Sequence, residues 1–230
     1  VRPLRPVTVA FCPQTPLLLP TVAGAPGYAL SVLRAAVLGA VQTLLADEPE
    51  VVVVVGDGAG GVRFGPGDAG DLRGFGVDLE VPFAGWARPG GRRVPLPHLV
   101  GAWLLENAGH TGVRLGVGPD DLASALADVP GPVGVLAMGD GSARRGGKAP
   151  GALDPAAAPF DAAVAAALAA GDPAALAALD PAVGERLLAA GVPVWRAVGA
   201  ALAGQAPRAQ LRHDDAPFGV AYPVATWQVR

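Results

Sequence analysis

Five consecutive valines, Val51–Val55, constrain this chain more than any other feature. An unbroken β-branched run is what a strand covered on both faces requires, because a strand with one wet face alternates apolar and polar residues. The run follows Tyr28–Leu45, where Leu33, Val37, Leu38, Val41, Leu44 and Leu45 recur at helical spacing and Pro49 marks the end. Upstream, Val7–Phe11 is a short β-branched and aromatic run ended by Cys12-Pro13. Strand, long helix, strand is a βαβ unit, with parallel pairing and a right-handed crossover. The expected fold is α/β, with a central mixed, largely parallel sheet flanked by helices. At 230 residues and 51% hydrophobic, the chain can fill one sizeable core. No linker divides it, so residues 1–230 are read as a single domain.

The rest of the chain extends this pattern. Gly56–Arg93 is irregular, rich in Gly, Pro and Arg, with one strand expected near Val77–Val81. Leu96–Ala108 reads as a helix, Val113–Val117 as a strand, Asp120–Ala127 as a short helix and Pro132–Met138 as a buried strand. Asp154-Pro155, Asp172-Pro173 and Asp180-Pro181 each place a capping carboxylate before a proline. Asp accepts a hydrogen bond from first-turn amides, and Pro loses nothing there because its missing N–H had no partner. Helices are therefore expected from Pro155, Pro173 and Pro181, with another over Val194–Leu202. Strands Ala209–His213 and Gly219–Gln228 close the chain.

Bulk properties exclude several functions. A net charge of -3 offers no broad field for nucleic acid or an anionic membrane. Mean hydropathy is +0.41, yet the apolar blocks Val51–Val55 and Ala162–Ala170 are far shorter than the ~20 residues of a membrane span. No signal-peptide pattern opens the chain, and the single cysteine, Cys12, cannot form an internal disulfide. The expected location is the cytoplasm. A small anionic or aromatic ligand is the expected partner, with room for a homo-oligomer.

The most distinctive segment is Met138–Pro150, which leaves a buried strand and carries Asp140, Ser142, Arg144, Arg145 and the only lysine, Lys148. Loops at the carboxyl ends of strands are where α/β sheets bind ligands. The glycines allow close approach, and the cations suit a carboxylate or phosphate. A solvated surface loop is the competing reading, with Asp140 capping or orienting it.

Gly139-Asp140-Gly141-Ser142, Lys148-Ala149-Pro150-Gly151, Leu153-Asp154-Pro155 and Phe160-Asp161 resemble actinobacterial proteins of the LigB-like group, the class III extradiol ring-cleavage dioxygenases. So do the opening Cys12–Pro20 and the closing Asp214–Tyr222 and Val224–Trp227. The resemblance implies a mixed α/β fold and, in active relatives, ferrous iron held by two His and one carboxylate, with a further His as acid/base. The chain departs from that pattern. Gln14-Thr15 follows the first strand, Gly56-Asp57-Gly58 the second, and Ala143 ends the motif where the family has His. No cofactor is therefore expected, or ferrous iron only if the family's activity is retained. Gln14, Asp57, Asp140, Ser142, Arg144, Arg145 and Lys148 are the expected binding residues of a non-catalytic or metal-independent binding or partner protein. The alternative is an active ring-cleavage dioxygenase acting on a catechol, its iron held by relocated ligands such as His98, His213 and Asp214.

Other features favour structural readings. Gly56-Asp57-Gly58-Ala59-Gly60-Gly61 satisfies the dinucleotide glycine pattern, but Phe64-Gly65-Pro66-Gly67 cannot open the required helix. His98 reads as a partly buried helix-start residue, and His110 as a helix C-terminal residue favouring the dipole. Cys12 reads as a buried thiol. Trp86, Trp103, Trp195 and Trp227 read as core or interface residues.

Overall fold

The computed structural model describes residues 6–24 and 27–230. In chain order it contains β1 (Val7–Cys12), α1 (Pro20–Ala23), α2 (Tyr28–Ala46), β2 (Val51–Val55), β3 (Ala69–Asp71), β4 (Glu80–Pro82), α3 (Leu96–Asn107) and β5 (Val113–Val117). Then follow α4 (Leu122–Asp128), β6 (Val133–Met138), α5 (Ala157–Ala170), α6 (Pro173–Ala177), α7 (Pro181–Arg186), α8 (Val192–Ala201), β7 (Arg208–His213) and β8 (Val224–Val229). Six strands form one mixed sheet in the order β5-β2-β6-β1-β8-β7. β5, β2, β6 and β1 run parallel, while β8 is antiparallel to both β1 and β7. The chain is thus α/β, with β3 and β4 forming a separate hairpin-like pair.

The valine run lies second from one edge and is buried from Val52 to Val55. Successive residues of the central strands point to opposite faces, as the period of two requires. Val52, Val54, Leu136, Met138, Ala10 and Cys12 meet α2 and α3 on one side. Val53, Val55, Val135, Ala137, Val9 and Phe11 meet α4, α5, α6 and α8 on the other. Trp227 on β8 closes the second layer, its ring edge-on to Phe11 at 4.9 Å and its indole N–H donating to Leu168 O at 2.8 Å.

Capping follows the residues named. Asp172 accepts from Ala175 N and Asp180 from Ala182 N, each opening a helix on proline. Asp172→Ala is expected to lower stability by about 1 kcal/mol, read as a shift in the urea midpoint. A change below ~0.3 kcal/mol would mean the cap is redundant with packing.

Several expectations are corrected. Asp154 accepts from Ala156 N, but α5 begins only at Ala157, after a turn. The strand expected near Val77–Val81 is β4, displaced to Glu80–Pro82. α8 starts at Val192, with Pro193 tolerated in its first turn. Gly219–Pro223 is not strand: Gly219 has φ +76° and Tyr222 N donates to Asp215 O, so the segment turns before β8 begins. The apolar stretches are not all short either, since the 19 residues of α2 are long and apolar enough to cross a membrane by composition. Here Leu33, Val37, Val41 and Leu44 are buried against the sheet.

Candidate functional site

The register aligns Cys12 with Met138, and Val55 with both Ala137 and Val117, so the parallel strands end along one edge. The loops leaving that edge carry Gln14, Asp57, Pro119 and Asp140. Sequence proximity hid this, because β6 inserts between β1 and β2.

Asp140 is the hub of the first loop cluster. Its Oδ1 accepts Gln14 N at 2.8 Å, the Thr15 amide donates as well, and its carbonyl accepts Gly191 N at 2.8 Å. Burial pushes the carboxyl up to about 7, against the pull of those two amides. Tyr222 donates to Thr15 Oγ1 at 3.5 Å, and burial raises its phenol. Gln14 Oε1 is buried without a partner. Neighbouring Gly139 packs directly on Gly191: a Cβ at 139 would lie 2.3 Å from Gly191 Cα, a backbone atom that cannot yield. The expectation that Asp140 orients its loop agrees with these bonds.

The second cluster centres on a residue outside the expected set. Asp161, on α5, accepts Ser142 N at 2.8 Å, Ser142 Oγ at 2.5 Å and Arg145 Nη1 at 3.1 Å. Ser142 is wholly buried, so it is a structural donor rather than an exposed nucleophile. Backbone bonds weave the loop to the C-terminal segment: Gly141 N to Ala221 O, Ala221 N to Ser142 O and Arg145 N to Gly219 O. The motifs Gly139–Ser142, Phe160-Asp161 and Asp214–Tyr222 are therefore one three-dimensional unit. Asp161 is the only charged residue in α5, an alanine-rich helix. A lone acid among alanines was the signal that could have found it.

The solvated-loop reading is corrected for most of this segment, and so is the grouping of its cations as one anion site. Arg145 is already bound to Asp161, with 29% of its side chain exposed. Arg144 lays its stem against Gly151 and its Nε is buried without a partner. Lys148 is exposed and makes no ion pair among the described residues.

Asp57 belongs to a different feature. It lines an open cleft of about 920 Å³ between the loop after β2, the start of α4, α7 and α8. Ala197, Val192 and Leu188 give this cleft an apolar body, while Asp57, Asp120 and Glu185 outnumber its one cation, Arg196. Arg196 in turn donates to Leu179 O. Leu188, 46% exposed, stands in the left-handed region at φ 55°. Holding a branched apolar residue there costs on the order of 1–3 kcal/mol, and such strain clusters at ligand sites. Gln14 and Ala143 do not line this cleft, so the three family positions are not brought together in it.

The donor set does not fit ferrous iron. Asp140 spends its carboxylate on amides, Ala143 has no donor, and Gln14 offers only a neutral amide oxygen. The relocated set is overturned by topology. His98 is fully buried among Phe64 and Phe83, with Nε2 on Val117 O at 2.9 Å, at the β2–β5 side of the sheet. His213 is on β7, four strands from β2. Strand spacing puts roughly 19 Å between them, far beyond one metal ion. Burial also lowers the pKa of His98 and His110, with Arg114 adding to the effect at His110. Burial drives the Cys12 thiol up to about 12, which makes it inert.

Comparison with known families finds no family model that matches the chain, and no curated protein matches it.

Proposed function

We propose that this chain is a divergent LigB-like protein that binds a small molecule without a metal, in the cleft lined by Asp57, Leu188 and Ala197. The observation that carries this reading is the cleft itself, whose volume of about 920 Å³ lies in the range of small-molecule sites. It opens beside the carboxyl ends of β2 and β5, where α/β sheets receive ligands. Three carboxylates against one already bonded arginine favour a ligand with an apolar body and an amine or other donor group. The LigB-like motifs supply the loop cage behind the cleft, since Asp140 O holds Gly191 at the start of α8.

Ala197→Trp fills the cleft from α8. Thermal-shift and calorimetric titration with a panel of aryl-alkyl amines is expected to find binders of the wild-type protein. Their affinity should fall at least tenfold in Ala197→Trp, while the circular dichroism spectrum is unchanged. Ferrous iron added without oxygen should leave both binding and metal content unaltered. Full affinity in Ala197→Trp would dismiss the cleft as the site, and one tightly held iron per chain would dismiss the metal-free reading.

A further inference from the structure

Between β2 and α3 lies the irregular stretch that sequence periodicity could not resolve. Its loops 63–68 and 88–92 are not loose. Arg88 N donates to Gly67 O at 3.0 Å, and Ala69 N to Arg92 O at 3.1 Å. The buried Asp68 spends both carboxylate oxygens on backbone, accepting Gly65 N at 3.0 Å and Arg92 N at 2.8 Å. Phe64 anchors the pair to the sheet through reciprocal bonds with Gly116 on β5. The result is a cleft of about 520 Å³ lined by Arg63, Arg88 and Arg92 and by the glycines of both loops.

The arginines are placed rather than free. Gly67 has φ +97°, and a Cβ there would stand 2.9 Å from Arg88 Cδ, so the Arg88 stem rests on a glycine that must stay glycine. Arg92 Nη1 donates to Arg63 O at 2.5 Å. Arg63 is paired with Asp128 at 2.9 Å. Arg88 and Arg92 have no carboxylate within ion-pair distance among the described residues. Arg88 and Arg92 both line this cleft, and the only acid among its lining residues, Asp68, is saturated by amides. A multiply charged oxyanion suits that lining, because guanidinium forks match its oxygens and glycine backbone admits close approach. Trp86, two residues before Arg88 in sequence, is 75% exposed, an aromatic ring free of core packing.

We propose that the cleft formed by Arg63, Arg88, Arg92 and the glycines of these loops binds a phosphate-bearing small molecule. This site is on different loops from the α8 cleft and does not depend on that cleft being occupied.

Calorimetric titration of the full chain with inorganic pyrophosphate at low ionic strength tests it, with sodium chloride at matched ionic strength as control. Saturable binding is expected for pyrophosphate and not for chloride. Arg88→Gln keeps most of the stem over Gly67 and should weaken binding at least tenfold. Lys148→Gln, which removes a cation of another loop, should leave it unchanged. Arg92→Gln also loses the bond to Arg63 O, so its melting curve is recorded alongside. If the Arg92 variant unfolds, Arg88→Gln alone decides. Adenosine diphosphate distinguishes the source of the phosphate: tighter binding than pyrophosphate, lost in Trp86→Ala, identifies a nucleotide, and equal binding identifies a simpler phosphate. No saturable binding, an equal effect from chloride, or wild-type affinity in Arg88→Gln overturns the proposal. The amine-panel result at the α8 cleft is independent of every one of these outcomes.

Discussion

Asp161→Ala is expected to destabilise the protein by about 3 kcal/mol, measured as a fall in the urea midpoint with unchanged slope. The substitution strands three donors at once: Ser142 N, Ser142 Oγ and Arg145 Nη1. The serine groups are wholly buried and have no water to turn to, so each unmade bond approaches the desolvation cost of ~1–3 kcal/mol. Arg145 contributes less, because with 29% of its side chain exposed it can rotate toward solvent. Domains of this kind have roughly 5–15 kcal/mol in total, so the loss is a large fraction. Asp161→Asn preserves an acceptor for Ser142 N but loses the charge, and should cost roughly half as much. Because the same knot fixes Gly139–Ser142 against Ala221, loss of Asp161 should also loosen the chain before β8. Amide exchange at Ala221 and Arg145 is the local readout. A midpoint within ~0.5 kcal/mol of wild type would show that the backbone ladder alone holds the loop.

What the sequence shows of this architecture depends on whether the cause is local. Val51–Val55 declares a two-faced strand because every residue is β-branched, and the structure buries alternate valines in separate layers. Asp172 and Asp180 declare helix starts because the capping bond closes within three residues. Asp154 shows the limit of that logic: it makes its bond to Ala156 N, but a turn intervenes before α5. β3 could not be foreseen, since Ala69-Gly70-Asp71 has no β-branched residue and is held extended by its pairing with β4 and by the bonds of Ala69 to Arg92 and Val94. The burial of His98 depends on Phe64 and Phe83, which arrive from the irregular stretch, and nothing near His98 in sequence announces them. The α8 cleft was equally hidden, because its walls come from the loop after β2, α4, α7 and α8, and six of its lining residues are alanine, a residue without a chemical signature. The Gly139–Asp161–Ala221 knot was half legible. The residues stood out as motifs, but their mutual bonding needs the antiparallel return of β8 beside β1.

Folding stability is expected to carry a component that declines as pH rises toward and through about 7, and Asp140→Asn should remove it. Burial lifts the Asp140 carboxyl from 3.8 to about 7, while the amides of Gln14 and Thr15 pull the other way. Between those two values the folded protein keeps a proton that the unfolded chain gives up. The contribution is therefore complete below 3.8 and is lost by the time the pH passes about 7. At 1.36 kcal/mol per unit, that span corresponds to a ceiling of about 4 kcal/mol, reduced by the partial exposure of the residue. His98, His110 and His213 act in the opposite sense. Burial lowers all three from 6.5, so their contribution is present above that value and is lost as pH falls below it. The raw wild-type profile mixes both, and the difference between wild type and Asp140→Asn isolates the carboxyl. Asparagine still accepts Gln14 N through its amide oxygen and cannot ionise, so its stability should match wild type near pH 4 and exceed it by about 1–3 kcal/mol near pH 8. Urea midpoints at unit pH intervals give the comparison. Parallel profiles across that range would mean that Asp140 is ionised throughout, its charge held by Gln14, Thr15 and the polar loop rather than opposed by burial.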